Sequence, residues 1–256
     1  MTSERWSDLK ARVWSSIVMI LVAGAAFWFG GVVFVALIVA MVGAMHWELG
    51  KMLSPLSRQA AWLSAMTAGG ATLGFVYSDA MMIILPMTVL LQLWYFMSHR
   101  YLGALYSAMI LLSGYVLIEL RLSYGSILIL WLIGLVILTD IGGYFAGRMI
   151  GGPKFWPRFS PKKTWSGAVA GWICAAGLTL YVFWGDLTPV LSIAMGVALS
   201  FASQMGDIFE SAMKRKSNVK DSSNLIPGHG GVLDRFDGVV GAALVFGFFL
   251  PLLMSL

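Results

Sequence analysis

The sequence predicts an all-α membrane protein, a polytopic helical bundle with about nine transmembrane helices. Of the 256 residues, 59% are hydrophobic and 11% are charged, whereas about 25% of the residues in a typical soluble domain are charged. Apolar runs recur along the chain and reach the roughly 20 residues that a helix needs to cross a hydrocarbon core. The short alternating segments of a transmembrane β-barrel are absent. We therefore expect membrane lipid around the protein and no nucleic acid as a partner.

The first apolar run, from Val13 to Met45, is long enough for two crossings, with Gly30-Gly31 as the natural turn between them. The other predicted spans cover residues 61–77, 80–97, 101–119, 126–147, 166–184, 188–209 and 237–255. Because neither a soluble linker nor an internal repeat interrupts the chain, we predict one integral membrane domain over residues 1–256. Within it, residues 1–125 would supply N-terminal spans, and residues 126–256 would form a catalytic half.

Lysine and arginine residues collect on one side of this predicted topology. With nine spans, 16 of the 17 Lys and Arg residues fall in one set of loops, and only Arg121 falls in the other. Because these residues are strongly biased to the cytoplasmic side, we expect the N-terminus and both long polar loops to face the cytoplasm. A basic face suits anionic headgroups and nucleotide phosphates, although the same bias is an ordinary topology signal.

The first long polar loop, from Arg148 to Trp165, reads RMIGGPKFWPRFSPKKTW. Its glycines and prolines exclude regular helix, so we expect an irregular loop whose backbone N–H groups can face a ligand. The start of the following predicted helix is a favourable place for an anion. The residues just before it offer hydroxyl and ammonium groups: Ser160, Lys162, Lys163 and Thr164. A helix cap followed by ordinary cytoplasmic lysines would explain the same residues.

Asp140 precedes this loop, near the end of an apolar span. A carboxylate at that depth needs a partner, and Arg148 lies about two helical turns further along the same face. A structural ion pair and a role in ligand binding both remain open for Asp140.

The second polar segment begins at the end of the predicted span 188–209. Asp207, Glu210, Ser211 and Lys214 are spaced so that a helix places them on one face. A hard cation such as Mg²⁺ is bound through one or two carboxylates together with substrate phosphate oxygens. This pattern predicts a metal site at Asp207, with Asp234 and Asp237 as sources of a second carboxylate.

The rest of this segment combines turn residues with phosphate donors. Three glycines between Gly228 and Gly231 permit tight turns, and Lys220, His229 and Arg235 supply donors. Taken singly, His229 could be an ordinary loop histidine, and the basic run at 214–216 could be a stop-transfer cluster. Taken together, acids for a metal and bases for phosphates favour a phosphoryl- or nucleotidyl-transfer site.

At these residues the chain resembles the phosphatidate cytidylyltransferase family, also called CDP-diacylglycerol synthases. The matching positions of the family's C-terminal signature are Ser211, Lys214, Arg215, Lys220, Asp221, Ser223, Ile226, Pro227, His229, Gly230, Gly231, Asp234, Arg235 and Asp237. The segments SPKKTW and GDIFES and the surroundings of Asp140 are also similar to family segments. Ser166 departs from the pattern, which has an acidic residue after the tryptophan.

The resemblance implies that CTP and phosphatidate react to give CDP-diacylglycerol and pyrophosphate, with Mg²⁺, at the cytoplasmic face of a bacterial inner membrane. It implies Asp207 and Asp234 as metal ligands and leaves a second cation and a homodimer open. The implied catalytic residues are Lys214, Lys220, Asp221, His229, Arg235 and Asp237. The implied substrate-binding residues are Asp140, Ser160, Lys162, Lys163, Thr164 and Ser211.

Two other functions compete with this one. A transferase that acts on another lipid phosphate or uses another nucleotide would need the same groups, because no residue pattern indicates base recognition. A transporter or lipid flippase would place polar residues near the midplane of several spans and often shows a repeated architecture. Here the polar residues collect at one interface, which argues against transport.

Overall fold

The computed structural model describes residues 2–254, with side chains described for residue 10 and residues 12–250. Its elements are α1 (Thr2–Phe29), α2 (Gly31–Leu53), α3 (Arg58–Tyr77), α4 (Met81–Tyr95), α5 (Arg100–Tyr124), α6 (Ile127–Met149), β1 (Lys154–Trp156), β2 (Ser160–Thr164), α7 (Trp165–Val182), α8 (Pro189–Lys216) and α9 (Leu233–Met254).

Each predicted span corresponds to a helix among the described residues, which confirms an all-α membrane bundle. Six of these helices are long and apolar enough to cross a membrane: Arg12–Phe29, Gly31–Leu53, Arg100–Tyr124, Ile127–Met149, Trp165–Val182 and Pro189–Lys216. The helix Met81–Tyr95 is apolar but shorter. The chain is therefore an integral membrane protein, and the number of nine crossings stays a prediction.

The chain divides into two compact units. Unit 1 comprises Met1–Ser123 and Met213–Phe236, and unit 2 comprises Tyr124–Ala212 and Asp237–Leu256. The single membrane domain with a division at residue 125 stays a prediction.

In unit 1, the predicted turn between α1 and α2 forms at Gly30, whose φ of 59° favours glycine. Arg121, near the end of α5, donates from Nη2 to the carbonyl oxygen of Phe27 at 3.1 Å. Arg121, the one Lys or Arg residue predicted on the non-cytoplasmic side, therefore lies at the α1–α2 turn. This position agrees with helices that alternate in direction. Further along, α2 packs against α3, and Gly50 approaches Ala61 so closely that a Cβ would lie 2.7 Å from the Ala61 Cα.

In unit 2, small residues allow close contact between helices. Helix α6 packs against α7, where a Cβ on Gly143 would lie 3.2 Å from the carbonyl oxygen of Gly167. Helices α8 and α9 meet at Gly206 and Gly241, and a Cβ at either glycine would overlap backbone atoms of the other helix. Glycine at such positions lets two backbones approach where a larger residue would hold them apart.

The loop after α6 corrects one expectation. Helix is excluded there as predicted, and Gly151 and Gly152 have positive φ values of 68° and 101°. The segment is not irregular, however, because β1 and β2 form an antiparallel hairpin in which Lys154 faces Thr164. A strand is compatible with prolines at its turn and edge, and the ring of Phe155 packs against Trp165 at a centroid distance of 4.7 Å. The hairpin therefore fixes the start of α7.

Candidate active site

Unit 2 contains a cluster of three acids. Asp207, Glu210 and Asp237 each offer a carboxylate oxygen, and these oxygens lie within 4.8 Å of one another. Helix α8 contributes Asp207 and Glu210 from one face, as their spacing predicts, and α9 contributes Asp237. Glu210 is fully buried. We call these three residues the acid cluster.

Glycine packing explains why the acid cluster forms. Gly206 precedes Asp207 and lies against the backbone of Asp237, so close that a Cβ on Gly206 would overlap the Asp237 carbonyl oxygen. The two helices can therefore bring carboxylates from different parts of the chain together. Close carboxylates repel one another unless a proton or a cation neutralises them. Three oxygen donors in this arrangement fit a hard divalent cation such as Mg²⁺.

Two neighbours already orient Asp207. The ammonium group of Lys163 forms an ion pair with its Oδ2, and the hydroxyl of Ser211 donates to its Oδ1 at 3.2 Å. Lys163 comes from strand β2, so the hairpin and the acid cluster are in direct contact within unit 2. The structure thus brings Lys163 of the first polar loop together with Asp207 and Ser211 of the second polar segment.

A pocket of about 340 Å³ lies beside this contact, also within unit 2. It contains four of the predicted substrate-binding residues: Asp140, Lys162, Lys163 and Thr164. Its lining also includes Arg148, which donates to the hydroxyl of Tyr144 at 3.1 Å, and the buried amide of Gln204. The pocket lining therefore combines cationic side chains with an uncharged helix surface formed by Gly143, Gly167 and Ala168. Such a pocket can accept an anionic group attached to an apolar one.

The end of the hairpin is held by hydroxyl groups. Thr164 caps α7, and its side chain accepts from the Gly167 N–H at 3.2 Å. Ser166, the residue that departs from the family pattern, donates its hydroxyl to the carbonyl oxygen of Gly151. Ser166 therefore ties the start of α7 to the turn after α6. Ser160 lies at the start of β2, paired with Trp156, and its predicted role as a phosphate ligand stays a prediction.

In unit 1, Asp234 is surrounded by hydrogen-bond donors. Its Oδ1 accepts from the Lys214 ammonium group at 2.7 Å. Its Oδ2 accepts from the hydroxyl and N–H of Ser222, each at 2.9 Å, and from the N–H of Gly231 at 2.8 Å. These contacts join the start of α9 to the end of α8 through a predicted metal ligand. The metal role of Asp234 stays a prediction.

The other predicted residues of the signature lie on the surface of unit 1 around this loop. Lys220, Asp221 and Arg235 are exposed, and the Arg235 Nε donates to the His229 carbonyl oxygen at 2.9 Å. The ring of His229 contacts the hydroxyl of Ser15 in α1, with Nδ1 and Oγ 2.8 Å apart. Exposed cationic groups next to a braced loop can contact phosphate.

Sequence reasoning missed Glu48. This residue of α2 is fully buried and accepts hydrogen bonds from Ser223, Val232 and Leu233, with the Ser222 hydroxyl 3.3 Å away. A signal was present, because an acid just beyond the apolar run from Val13 to Met45 is costly near a bilayer unless it has partners. Glu210 was noted for its helical spacing but was not among the predicted ligands.

The sequence model described as the cytidylyltransferase family matches residues 10–253. The chain belongs to the cytidylyltransferase family. It is 35% identical to a phosphatidate cytidylyltransferase of Brucella suis biovar 1, over 95% of this chain and 93% of that protein. Two proteins of the same name are also similar. The one from Rickettsia bellii is 36% identical over 65% of this chain and 78% of its own length. The one from Haemophilus influenzae is 42% identical over 49% of this chain and 46% of its own length. As a member of this family, the chain is a nucleotidyltransferase.

Proposed function

We propose that this protein transfers CMP from CTP to phosphatidate, forming CDP-diacylglycerol and releasing pyrophosphate. The observation that carries the proposal is the contact between the acid cluster and the cationic pocket through Lys163 and Asp207. The names of the relatives support the two substrates. A site for this reaction needs one region that attracts a metal and another that attracts phosphate, and unit 2 contains both.

The proposed reaction is an in-line displacement at phosphorus. A phosphate oxygen of phosphatidate attacks the α-phosphorus of CTP, and the bond from that phosphorus to the bridging oxygen of the β-phosphate breaks. Pyrophosphate leaves with the electron pair. Because a phosphate monoester has a second pKa of about 6, the attacking oxygen is already anionic at neutral pH. The residues therefore need to align two anions and to counter their charge, and no strong base is required.

Asp207, Glu210 and Asp237 would hold Mg²⁺. When bound, the ion supplies positive charge to the phosphate oxygens during transfer. Asp234 remains proposed as a further ligand, and the Asp234→Asn variant tests it separately. Ser211 orients Asp207 through its hydrogen bond, so it acts on the metal site without itself contacting substrate.

The cationic residues would hold the phosphates. Lys162 and Lys163 line the pocket, and Asp140 and Thr164 shape its wall, while Ser160 would add a hydroxyl. On the signature loop, Lys220 and Arg235 are exposed and would contact phosphate. Lys214, Asp221 and His229 would orient their neighbours. The uncharged part of the pocket lining would suit the glycerol and acyl region of a lipid.

The site would face the cytoplasm of a bacterial inner membrane, because cytoplasmic loops of membrane proteins are rich in Lys and Arg. A cysteine introduced at Arg158, in the exposed turn of the hairpin, should react with an impermeant reagent only from the cytoplasmic side. Labelling from the other side would contradict this orientation.

A homodimer would be detected in detergent as twice the mass expected for one chain.

The decisive experiment measures product formation by the purified protein. Labelled CTP with phosphatidate should give labelled CDP-diacylglycerol in the presence of Mg²⁺, and a chelator should stop the reaction. Each other nucleoside triphosphate, and each other lipid phosphate, is tested in the same assay. Equal turnover with UTP or with a different lipid phosphate would contradict the substrate assignment. Full activity in chelator would contradict the metal site.

A further inference from the structure

We propose that Glu48 is a positioning residue, whose buried carboxylate holds the loop from Ser222 to Leu233 in the conformation that nucleotidyl transfer requires. This inference rests on the proposed function for its kinetic consequences. Its structural part, the bracing of the loop by a residue of α2, can be tested independently. Both Glu48 and the loop belong to unit 1.

The geometry consists of three hydrogen bonds to one carboxylate, with the Ser222 hydroxyl beside it. Oε1 accepts from the Ser223 hydroxyl at 2.6 Å and from the Val232 N–H at 2.9 Å. Oε2 accepts from the Leu233 N–H at 2.7 Å, and the Ser222 hydroxyl lies 3.3 Å from it while donating its single hydrogen to Asp234 at 2.9 Å. Glu48 is 0% exposed, so water does not compete for these bonds. The carboxylate therefore connects the beginning of the loop to its end.

The chemistry of the partners suits a carboxylate at this position. The N–H groups of Val232 and Leu233 donate to different oxygens of the side chain, and a carboxylate is the side chain that offers only acceptors. Val232 and Leu233 lie at the start of α9, where the first N–H groups have no partner inside the helix. A negative charge there also interacts favourably with the helix dipole. Glutamine would have the same shape but would turn an N–H group toward at least one donor.

The bracing extends from Glu48 to the predicted catalytic residues. The hydroxyl of Ser222 lies within hydrogen-bonding distance of both Glu48 and Asp234. Gly231, next to Val232, donates its N–H to Asp234 and leaves no room for a Cβ, which would overlap Glu48 and Ser222. The loop between these fixed points carries His229. Arg235, which comes after the loop in the chain, donates from Nε to the His229 carbonyl oxygen.

Glu48 thus acts on the reaction through the loop and not by touching substrate. Its carboxylate is fully buried, whereas Lys220 and Arg235, which are proposed to contact phosphate, are exposed. Loss of the brace would let those groups shift. A misplacement of about 1 Å can cost roughly 10²-fold in rate, even if the residue that moved them is remote from the chemistry.

The test compares Glu48→Gln and Glu48→Asp with Glu119→Gln. Glu119 is a suitable control because it is also an acid on a membrane helix of unit 1, with a hydrogen bond from Ser123 at 2.6 Å, and no catalytic role is proposed for it. We expect Glu48→Gln to lower kcat by about 10²-fold with a smaller change in the KM for CTP. Glu48→Asp, which retains the charge, should recover part of kcat, and Glu119→Gln should behave as the wild type.

Hydrogen exchange supplies a readout that does not depend on turnover. In Glu48→Gln, the amides of Val232 and Leu233 should exchange at least tenfold faster, while amides of α3 stay unchanged. Normal exchange at these two amides, or kcat within twofold of the wild type, would overturn the inference. A wild-type protein that makes no CDP-diacylglycerol would contradict the proposed function, and the exchange result would still decide the bracing role.

If Glu48→Gln fails to fold, Ser223→Ala decides the question. This variant removes the donor of the 2.6 Å bond and leaves the carboxylate with the N–H donors of Val232 and Leu233. Because the Ser223 hydroxyl also accepts from the Leu225 N–H, the readout is exchange at Val232 and Leu233. The inference requires faster exchange at these two amides and a lower kcat in a protein with the wild-type melting temperature. Unchanged exchange and unchanged kcat in Ser223→Ala would overturn it.

Discussion

Two groups of buried or half-buried acids in this protein differ in what surrounds them. In unit 1, Glu48 and Asp234 are each surrounded by hydroxyl, N–H or ammonium donors. In unit 2, the acid cluster brings three carboxylates within 4.8 Å of one another, and one of them, Asp207, also contacts Lys163 and Ser211. The first arrangement stabilises negative charge by hydrogen bonds. The second concentrates negative charge and so favours a cation.

This comparison shows that the residue type of an acid does not determine its role. Asp234 and Asp237 lie one helical turn apart in the same signature, yet Asp234 accepts donors from the loop and Asp237 joins the acid cluster. The surroundings of these two acids therefore differ, although Asp234 also stays proposed as a further metal ligand. Variants in the acid cluster and around Glu48 test this distinction, and variants in the hairpin test the neighbouring pocket.

Loss of charge in the acid cluster should have the largest effect. We expect Asp207→Asn and Asp237→Asn each to lower kcat/KM by about 10³-fold, comparable to the loss of a major electrostatic group in an active site. Asp186→Asn, at an exposed acid between α7 and α8, is the matched control. The assay measures CDP-diacylglycerol formation over a range of Mg²⁺ concentrations. Activity near that of the wild type at ordinary Mg²⁺ would remove the metal role from the cluster.

Crowding the acids of unit 1 that are surrounded by hydrogen-bond donors should have the second-largest effect on activity. A Cβ in Gly231→Ala would overlap the Ser222 hydroxyl and the Glu48 carboxylate, so we expect the loop to shift and kcat to fall by about 10²-fold. Gly70→Ala is the control, because nothing lies within 4 Å of that Cβ position. If Gly231→Ala keeps the activity of Gly70→Ala, the tight packing around Glu48 is not important for catalysis.

Removal of the Lys163 ammonium group, which joins the pocket to the acid cluster, should have a smaller effect on activity. We expect Lys163→Met to raise the KM for a phosphate-bearing substrate about tenfold, equivalent to roughly 1.4 kcal/mol of lost binding. Lys154→Met changes an exposed lysine of the same hairpin and should leave KM unchanged. Steady-state kinetics with CTP and phosphatidate varied in turn identifies the affected substrate. Equal effects of the two variants would indicate only a general loss of positive charge.

The cap of α7 should give the smallest effect. Thr164→Ala removes the side-chain acceptor of the Gly167 N–H, which should cost about 1 kcal/mol of stability and lower the melting temperature in detergent by about 2–4 °C. Thr164→Ser retains the acceptor and should melt like the wild type. If Thr164→Ala melts normally but its KM rises, the hydroxyl contributes to substrate binding and not to the helix cap.

Helix positions were the most predictable part of the fold. The run from Val13 to Met45 could be divided at Gly30 because its length exceeds one crossing and glycine tolerates the turn, and the structure confirms that division. The hairpin was not predicted, because a segment of three residues paired with one of five has no clear periodicity. Its prolines excluded helix but could not distinguish an irregular loop from a strand pair.

The candidate site was only partly predictable. The helical spacing of Asp207 and Glu210 placed them on one face, and the local sequence around Lys162 and Lys163 indicated a phosphate pocket. Nothing local could show that Asp237 would join the first pair, since that depends on the contact between Gly206 and the Asp237 backbone. Glu48 was harder still, because it lies 185 residues from its partner Leu233.

The amino-acid sequence alone determined the membrane environment, the helix positions and the family, because hydrophobic length and local motifs act over short stretches of chain. Only the tertiary structure decided which acids face donors and which face other acids. That outcome depends on how closely helix backbones approach at glycines and on where a distant buried carboxylate meets the signature loop. Such contacts arise from packing between remote segments, which no local pattern of residues specifies.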